Sequence, residues 1–454
     1  MKGPSTGMVG SLGTVSGSVG TGPSHHGSHR GLLRAVRVPA ATDGWVDVLA
    51  VPSSRPVAYL REAVRLARRL GCVLLVLASG RCSASDVVDR YEGQLPRQLL
   101  AVDIPSADPP PEWFRFQTDE LAKAAAPRRS DISRKRNYAL LFARAVGARR
   151  LLFLDDDIVV PDWVDIRRAG SALSQKFHAV GMDIKGFPDN SVVCHAHRLT
   201  GGEQDTFVGG GALMLNPQRV TGFFPNLYNE DWFFLLERAA RRLVGITGVA
   251  AQRPYDPFAT PVRAEREEFG DVLAEGLFWL LDEGRPIEQA DTAYWREALR
   301  RRGQLISEVL ERREAAPLPP EARRRMEASL TAAERVRRTI EPQVCADYIQ
   351  AWGHDRQAWA DRLSRMKTEL SLRAALAQLG LEQPYGGLDL NARLPVGSPG
   401  NVVDPDPLAT HTRRPLWVAA TPILLATARR TSRPAALDEL DHEHSPDSTV
   451  GVIG

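Results

Sequence analysis

Cysteine is scarce in this chain: Cys72, Cys82, Cys194 and Cys345 are the only four in 454 residues. None stands in a Cys-x-x-Cys spacing, which argues against a zinc ribbon or a disulfide framework and points to a reducing, cytoplasmic compartment. Long apolar runs are lacking too. No segment reaches the roughly 18 apolar residues that a spanning helix needs. The nearest, Leu416 to Ala428, is short, contains Pro422 and is flanked by arginines. It therefore reads as a packed segment or a peripheral membrane contact and not as a transmembrane span. Charge of one sign is not in excess either. With 58 basic against 55 acidic residues the formal charge is +3, so nothing in the total calls for nucleic acid or an anionic membrane.

What remains is the composition of a globular chain with room for about two to three domains. Residues 1–44 are rich in Gly, Ser and Thr, and a disordered N-terminal tail is expected there. His25, His26 and His29 lie within it, and without a fold to fix their geometry they read as a loose tail and not as a metal site. From Trp45 the pattern alternates. Val46–Val51 reads as a strand and Val57–Leu70 as a helix stopped by Gly71, with further strands at Cys72–Leu77 and Leu99–Ile104. That alternation predicts a parallel, doubly wound α/β sheet. A helix follows in which Asp131 or Ser133 can cap, Tyr138, Leu141, Phe142, Ala145 and Val146 form the buried stripe, and Gly147 ends it. Its first turn carries Arg134, Lys135, Arg136 and Asn137. Cations there oppose the helix dipole, so either a bound anion such as a diphosphate restores the balance or the turn is a solvated basic patch.

The most informative stretch is Leu151–Val160. Four apolar residues suit a strand buried on both faces, and they end in Asp155, Asp156 and Asp157. Three carboxylates at a strand's carboxyl end stand where open α/β sheets bind ligands, although Asp is also common in plain turns. Beyond it, a helix is expected near Trp163–Phe177 and a strand near Ala179–Ile184. His195 and His197 would share one side of a strand, and Gly209, Gly210 and Gly211 would open the apolar strand that ends at Leu215. Those glycines allow close backbone approach to a ligand or a simple bulge. Glu230 and Asp231 open an aromatic helix, and Ile246–Gln252 reads as the last strand. Helical periodicity then runs over about 262–380, and residues 381–454 read as a mostly irregular tail rich in Pro, Gly and Asp.

Taken in order, residues 45–260 resemble the catalytic domain of a GT-A-fold glycosyltransferase, closest to the family 2 nucleotide-sugar transferases. Pro52-Ser53-Ser54-Arg55 resembles the nucleotide-side loop, and Arg136-Asn137 followed by Asp155-Asp156-Asp157 resembles the family's Arg-Asn helix and Asp-x-Asp strand. Gly209–Gly211 is similar to the acceptor-side segment, and Asn229-Glu230-Asp231 to the acid pair that carries the base. The resemblance implies a Rossmann-like GT-A domain followed by an α-helical C-terminal region. It implies transfer of a sugar from a nucleoside-diphosphate sugar to a carbohydrate or other hydroxyl acceptor, with inversion. Donor binding would fall to Pro52, Ser53, Arg55, Arg136, Asn137, Asp155, Asp156, Gly210 and Gly211. Asp155 and Asp157 would hold Mg²⁺ or Mn²⁺, and Asp231 would act as base beside Glu230.

The chain departs from the family pattern in two places. Ala78-Ser79-Gly80 stands where the family has an acid in its base-binding turn. No histidine occurs between His197 and His354 to serve as a late metal ligand, so Asp256 is a possible substitute. Two other readings compete. In the first, Asp155-Asp156-Asp157-Ile158-Val159 is the nucleophile loop of a haloacid-dehalogenase-like phosphatase. In the second, the chain is a non-catalytic nucleotide- or glycan-binding scaffold of the same fold.

Overall fold

Short apolar runs, each stopped by Gly, Pro, Asp or Ser, build the central layer. The computed structural model describes residues 23–38, 44–105, 111–125, 130–173, 176–187, 191–205, 207–381 and 384–395. Among them the strands are β1 (Leu33–Ala35), β2 (Val48–Ser53), β3 (Val73–Ala78), β4 (Leu99–Asp103), β5 (Leu151–Leu154) and β6 (Ile158–Val159), then β7 (Ala179–Gly186), β8 (Ala212–Leu215), β9 (Val244–Gln252) and β10 (Pro384–Tyr385). They form one mixed, mostly parallel sheet in the order β1-β9-β7-β8-β5-β2-β3-β4-β10, with β6 paired to β9 off that path. Every residue of β2, β3 and β5 is buried, as continuous apolar strands covered on both faces require.

Helices cover both faces. They are α1 (Arg61–Leu70), α2 (Ala84–Tyr91), α3 (Gln117–Ala125), α4 (Ile132–Ala145), α5 (Trp163–Ala172), α6 (Val192–Leu199) and α7 (Glu230–Ala240). The C-terminal region adds α8 (Pro261–Asp282), α9 (Thr292–Glu311), α10 (Pro320–Thr339), α11 (Pro342–Arg365) and α12 (Leu372–Gln378). One core joins the inward residues of α1, α2 and α5 to one face of the sheet. The other runs unbroken from Phe153 and Tyr138 through Phe224 and Phe234 to Leu273 on α8 and Trp359 on α11. The C-terminal helices thus share their core with the sheet. Asp355 of α11 even caps α3, accepting the Gln117 and Thr118 backbone N–H groups at 2.8 Å each.

The topology also opens a crevice at one sheet edge. From β2 the chain steps outward to β3 and β4, then returns to lay β5 on the other side of β2 and parallel to it. The order reverses between β2 and β5, so the crevice at their carboxyl ends is the switch point where such sheets bind ligands.

Four expectations need correction. The expected disordered tail is folded over residues 23–38: β1 pairs in parallel with β9, and Leu32, Leu33 and His29 are buried. Two leucines suffice to anchor an edge strand, and they are hidden in Gly- and Ser-rich surroundings; residues 1–22 lie outside the described residues. His195 and His197 lie on α6 and not on a strand. Ser191 accepts the Cys194 N–H and Glu267 accepts the Val192 N–H, and these two caps override the β preference of the Val192-Val193 pair. The cap foreseen for α4 is absent. Asp131 makes no capping bond and instead lies 3.0 Å from Lys135, while Ser133 donates to the Pro225 carbonyl. Finally, the irregular tail begins with β10, which closes the β4 edge of the sheet; residues 396–454, including Leu416 to Ala428, lie outside the described residues.

Candidate active site

β2 and β5 end side by side, so Ser53–Arg55 and Asp155–Asp157 leave the sheet together. Ser53 Oγ donates to Asp156 Oδ2 at 2.6 Å and Arg55 Nη1 to Asp156 Oδ1 at 2.6 Å. The same guanidinium nitrogen lies 3.0 Å from Asp157 Oδ2. Pro52 sits one residue earlier within β2, opposite Leu77. Asp156 is the buried member of the run. Burial pushes its carboxyl above the usual range, against the pull of Arg55 and the Ser53 hydroxyl. Its neighbours face outward: the side chains of Asp155 and Asp157 are 24% and 17% exposed, against 6% for Asp156. Asp156 therefore ties the two strand ends together, and the alternate carboxylates are presented at the surface of the crevice.

On the other side stands Arg136, from the first turn of α4. It is buried, with Nη1 2.6 Å from Glu230 Oε1, Nη2 2.9 Å from both oxygens of Asp155, and Nη1 4.0 Å from Asp231 Oδ2. The protein's own carboxylates thus balance this helix start, and the anion expected from its basic sequence is not what neutralises Arg136. Asn137 is turned away from the crevice: its amide donates to the Phe224 carbonyl and accepts from the Phe224 N–H, both at 2.8 Å. Lys135, expected with the rest of this basic stretch to face an anion or solvent, instead bridges the ends of β2 and β3 through the Ser53 carbonyl at 2.8 Å and Ser79 Oγ at 2.6 Å.

Asp231 opens α7 behind Asn229, whose φ of 62° turns the chain sharply into the helix. Its Oδ2 accepts the Gly210 N–H at 2.6 Å and its Oδ1 accepts the Trp232 N–H at 2.9 Å. Burial, then the neighbouring Glu230, push its carboxyl up to about 6 despite Arg136. Asp231 also lines a recess walled by Tyr228, Trp232, Phe207, Cys194 and Glu275.

The three glycines are explained by close approach. A Cβ on Gly209 would lie 2.9 Å from Asp231 Oδ2, on Gly210 2.5 Å from Arg136 Cζ, and on Gly211 3.2 Å from Asp155 Oδ2. Arg136 is clamped by carboxylates and cannot yield cheaply. Gly210→Ala is therefore expected to destabilise the fold by about 1–3 kcal/mol, read as a lowered urea midpoint.

Five carboxylates, Asp155, Asp156, Asp157, Glu230 and Asp231, here meet two guanidinium groups, Arg55 and Arg136. An oxygen-only set with excess negative charge is of the kind that could hold a hard divalent cation, and Asp155 and Asp157 are its accessible carboxylates. The substitute ligand foreseen at Asp256 is engaged with the Phe258 N–H and Arg325. His195 is buried against Tyr255 at 2.9 Å, and burial lowers its pKa to about 3. Two places among the described residues bring three ligating side chains within 4.8 Å of one another, and both lie elsewhere: Cys194–Asp271–Glu275 and His26–His29–Asp282. The first gave no signal in the sequence because Cys194 lies far along the chain from Asp271 and Glu275; the second was weighed at His26 and His29 and read as a loose tail, because its third member, Asp282, stands 253 residues beyond His29. No protein-family model matches the chain, and no curated protein matches it.

Proposed function

We propose that the chain is a GT-A-type, Mg²⁺- or Mn²⁺-dependent glycosyltransferase that moves a sugar from a nucleoside-diphosphate sugar to a hydroxyl acceptor with inversion. One observation carries this reading. Ser53–Arg55, Asp155–Asp157 and Glu230–Asp231, each far from the next in sequence, converge on one crevice at the sheet's switch point, and Asp231 stands there with its carboxyl at about 6. No helix of the described residues is long and apolar enough to cross a membrane. All four cysteines are free and buried, which fits the cytoplasm as its compartment.

A divalent cation held by Asp155 and Asp157 would neutralise the charge that develops on the departing diphosphate. The chain's own residues set up the rest. Asp156, fixed by Ser53 and Arg55, holds the run so that its neighbours face the donor, and Arg55 is the exposed cation beside them, with 41% of its side chain open to solvent. Arg136 holds Asp155 and Glu230 in place. Asp231, with both oxygens oriented by backbone N–H groups, takes the proton from the acceptor hydroxyl as the oxygen attacks. A base near pH 6 is ionised at neutral pH and still basic enough to be useful. The aromatic wall of Tyr228, Trp232 and Phe207 gives an acceptor ring a face to stack on.

The test is donor binding. A nucleotide sugar present with Mn²⁺ at 100 times its dissociation constant should stabilise the native chain by about 2.7 kcal/mol, and Asp157→Ala should abolish that shift. Absence of any shift across a panel of nucleotide sugars, or an unchanged shift in Asp157→Ala, would sink the proposal.

A further inference from the structure

The N-terminal segment carries a cluster that the transferase reading does not use. His29 is buried at 3% exposure, with Nδ1 2.5 Å from Asp282 Oδ2 and Nε2 3.0 Å from Glu275 Oε2. His26 stacks on it with ring centroids 4.9 Å apart, and its Nδ1 lies 3.6 Å from the same Asp282 oxygen. That Nδ1 is buried and has no hydrogen-bond partner. A buried imidazole nitrogen 3.6 Å from a carboxylate oxygen, with no hydrogen bond made, leaves a polar atom unsatisfied that a cation between the two groups would satisfy.

We propose that His26, His29 and Asp282 form a zinc-class metal site that clasps the N-terminal segment to the end of α8. The donor set supports this. Two imidazoles and a carboxylate suit Zn²⁺, whose bonds of about 2.0–2.2 Å set neighbouring ligand atoms about 3.3 Å apart. His26 Nδ1 and Asp282 Oδ2 already stand near that spacing, and the His29–Asp282 pair needs to open by less than about 1 Å. Glu275 supplies what such sites require behind the ligand, a carboxylate that takes the proton of the other imidazole nitrogen and so fixes the His29 tautomer. Asp282 is the last residue of a 22-residue helix, where the dipole is negative and an added carboxylate calls for a cation.

The experiment is calorimetric titration of the chelator-stripped full chain with Zn²⁺, alongside Co²⁺ absorption spectra. One ion per chain and a tetrahedral Co²⁺ spectrum are expected. His26→Ala and Asp282→Asn should each weaken binding at least tenfold, and Glu275→Gln by about 10–100-fold. His26 is partly exposed, so its variant should keep a cooperative thermal transition. Asp157→Ala should bind Zn²⁺ as the native chain does. The clasp is wrong if the native chain takes up no stoichiometric zinc, if His26→Ala binds within threefold of native, or if Asp157→Ala abolishes binding and so places the ion at the sheet edge.

Discussion

Asp231→Asn should lower kcat by roughly 10²–10⁴ while leaving the donor-induced thermal shift intact. The loss corresponds to about 3–5 kcal/mol of barrier, the usual contribution of a positioned base. On the proposed function, the native chain should show a matching pH profile. Since the Asp231 carboxyl titrates at about 6, kcat/KM should rise about tenfold per pH unit below that value and level off above it. A stability readout accompanies the kinetic one. The folded pKa lies above the ordinary 3.8, so the folded state binds the proton more tightly than the unfolded chain. Stability therefore falls as pH rises from about 4 through 6, by on the order of 2–3 kcal/mol in total, and Asp231→Asn should remove this slope. The amide has one oxygen for two donors, the Gly210 and Trp232 N–H groups. Losing one of those bonds costs about 1–3 kcal/mol, so net stability at pH 8 should change little. Near-normal turnover in Asp231→Asn would show that the base is another group.

What the sequence made legible follows from how local each cause is. The strand ending at Leu154 and the carboxylates after it could be read because a four-residue apolar run followed by Asp depends on nothing distant. The close approach implied by Gly209–Gly211 was also readable, but what approaches was not: Arg136, Asp155 and Asp231 come from three other segments. Asn137 shows the limit of a motif. Its place beside Arg136 suggested donor contact, yet helical geometry turns adjacent residues about 100° apart, and its amide meets Phe224. His29 shows a second limit. Composition marked its surroundings as tail, whereas its burial depends on Glu275 and Asp282, nearly 250 residues away in sequence. α6 formed against local preference because Glu267, on another helix, caps it.

Arg136→Met should be the most destabilising single change in the crevice. Arg136 has 2% of its side chain exposed, is bonded to Asp155 and Glu230, and lies 4.0 Å from Asp231. Breaking a buried ion pair by removing one partner costs about 3–5 kcal/mol, because the remaining charge is left uncompensated, and here three carboxylates share the loss. The pH dependence separates this cause from lost packing. In the variant the orphaned carboxyls can escape the penalty only by binding protons, so their folded pKa values rise and the folded state takes up protons that the unfolded chain does not. The deficit relative to the native chain should be largest at pH 8 and should shrink toward pH 5, as seen in paired urea denaturations. A packing defect would give the same deficit at both values. Arg136→Lys should lie between the two: it restores the charge, but a single ammonium cannot span Glu230 and Asp155 as the guanidinium fork does. If Arg136→Met loses less than about 1 kcal/mol at pH 8, Arg136 is not the buried counter-charge of these carboxylates, and its role in holding Asp155 for cation binding would have to be abandoned.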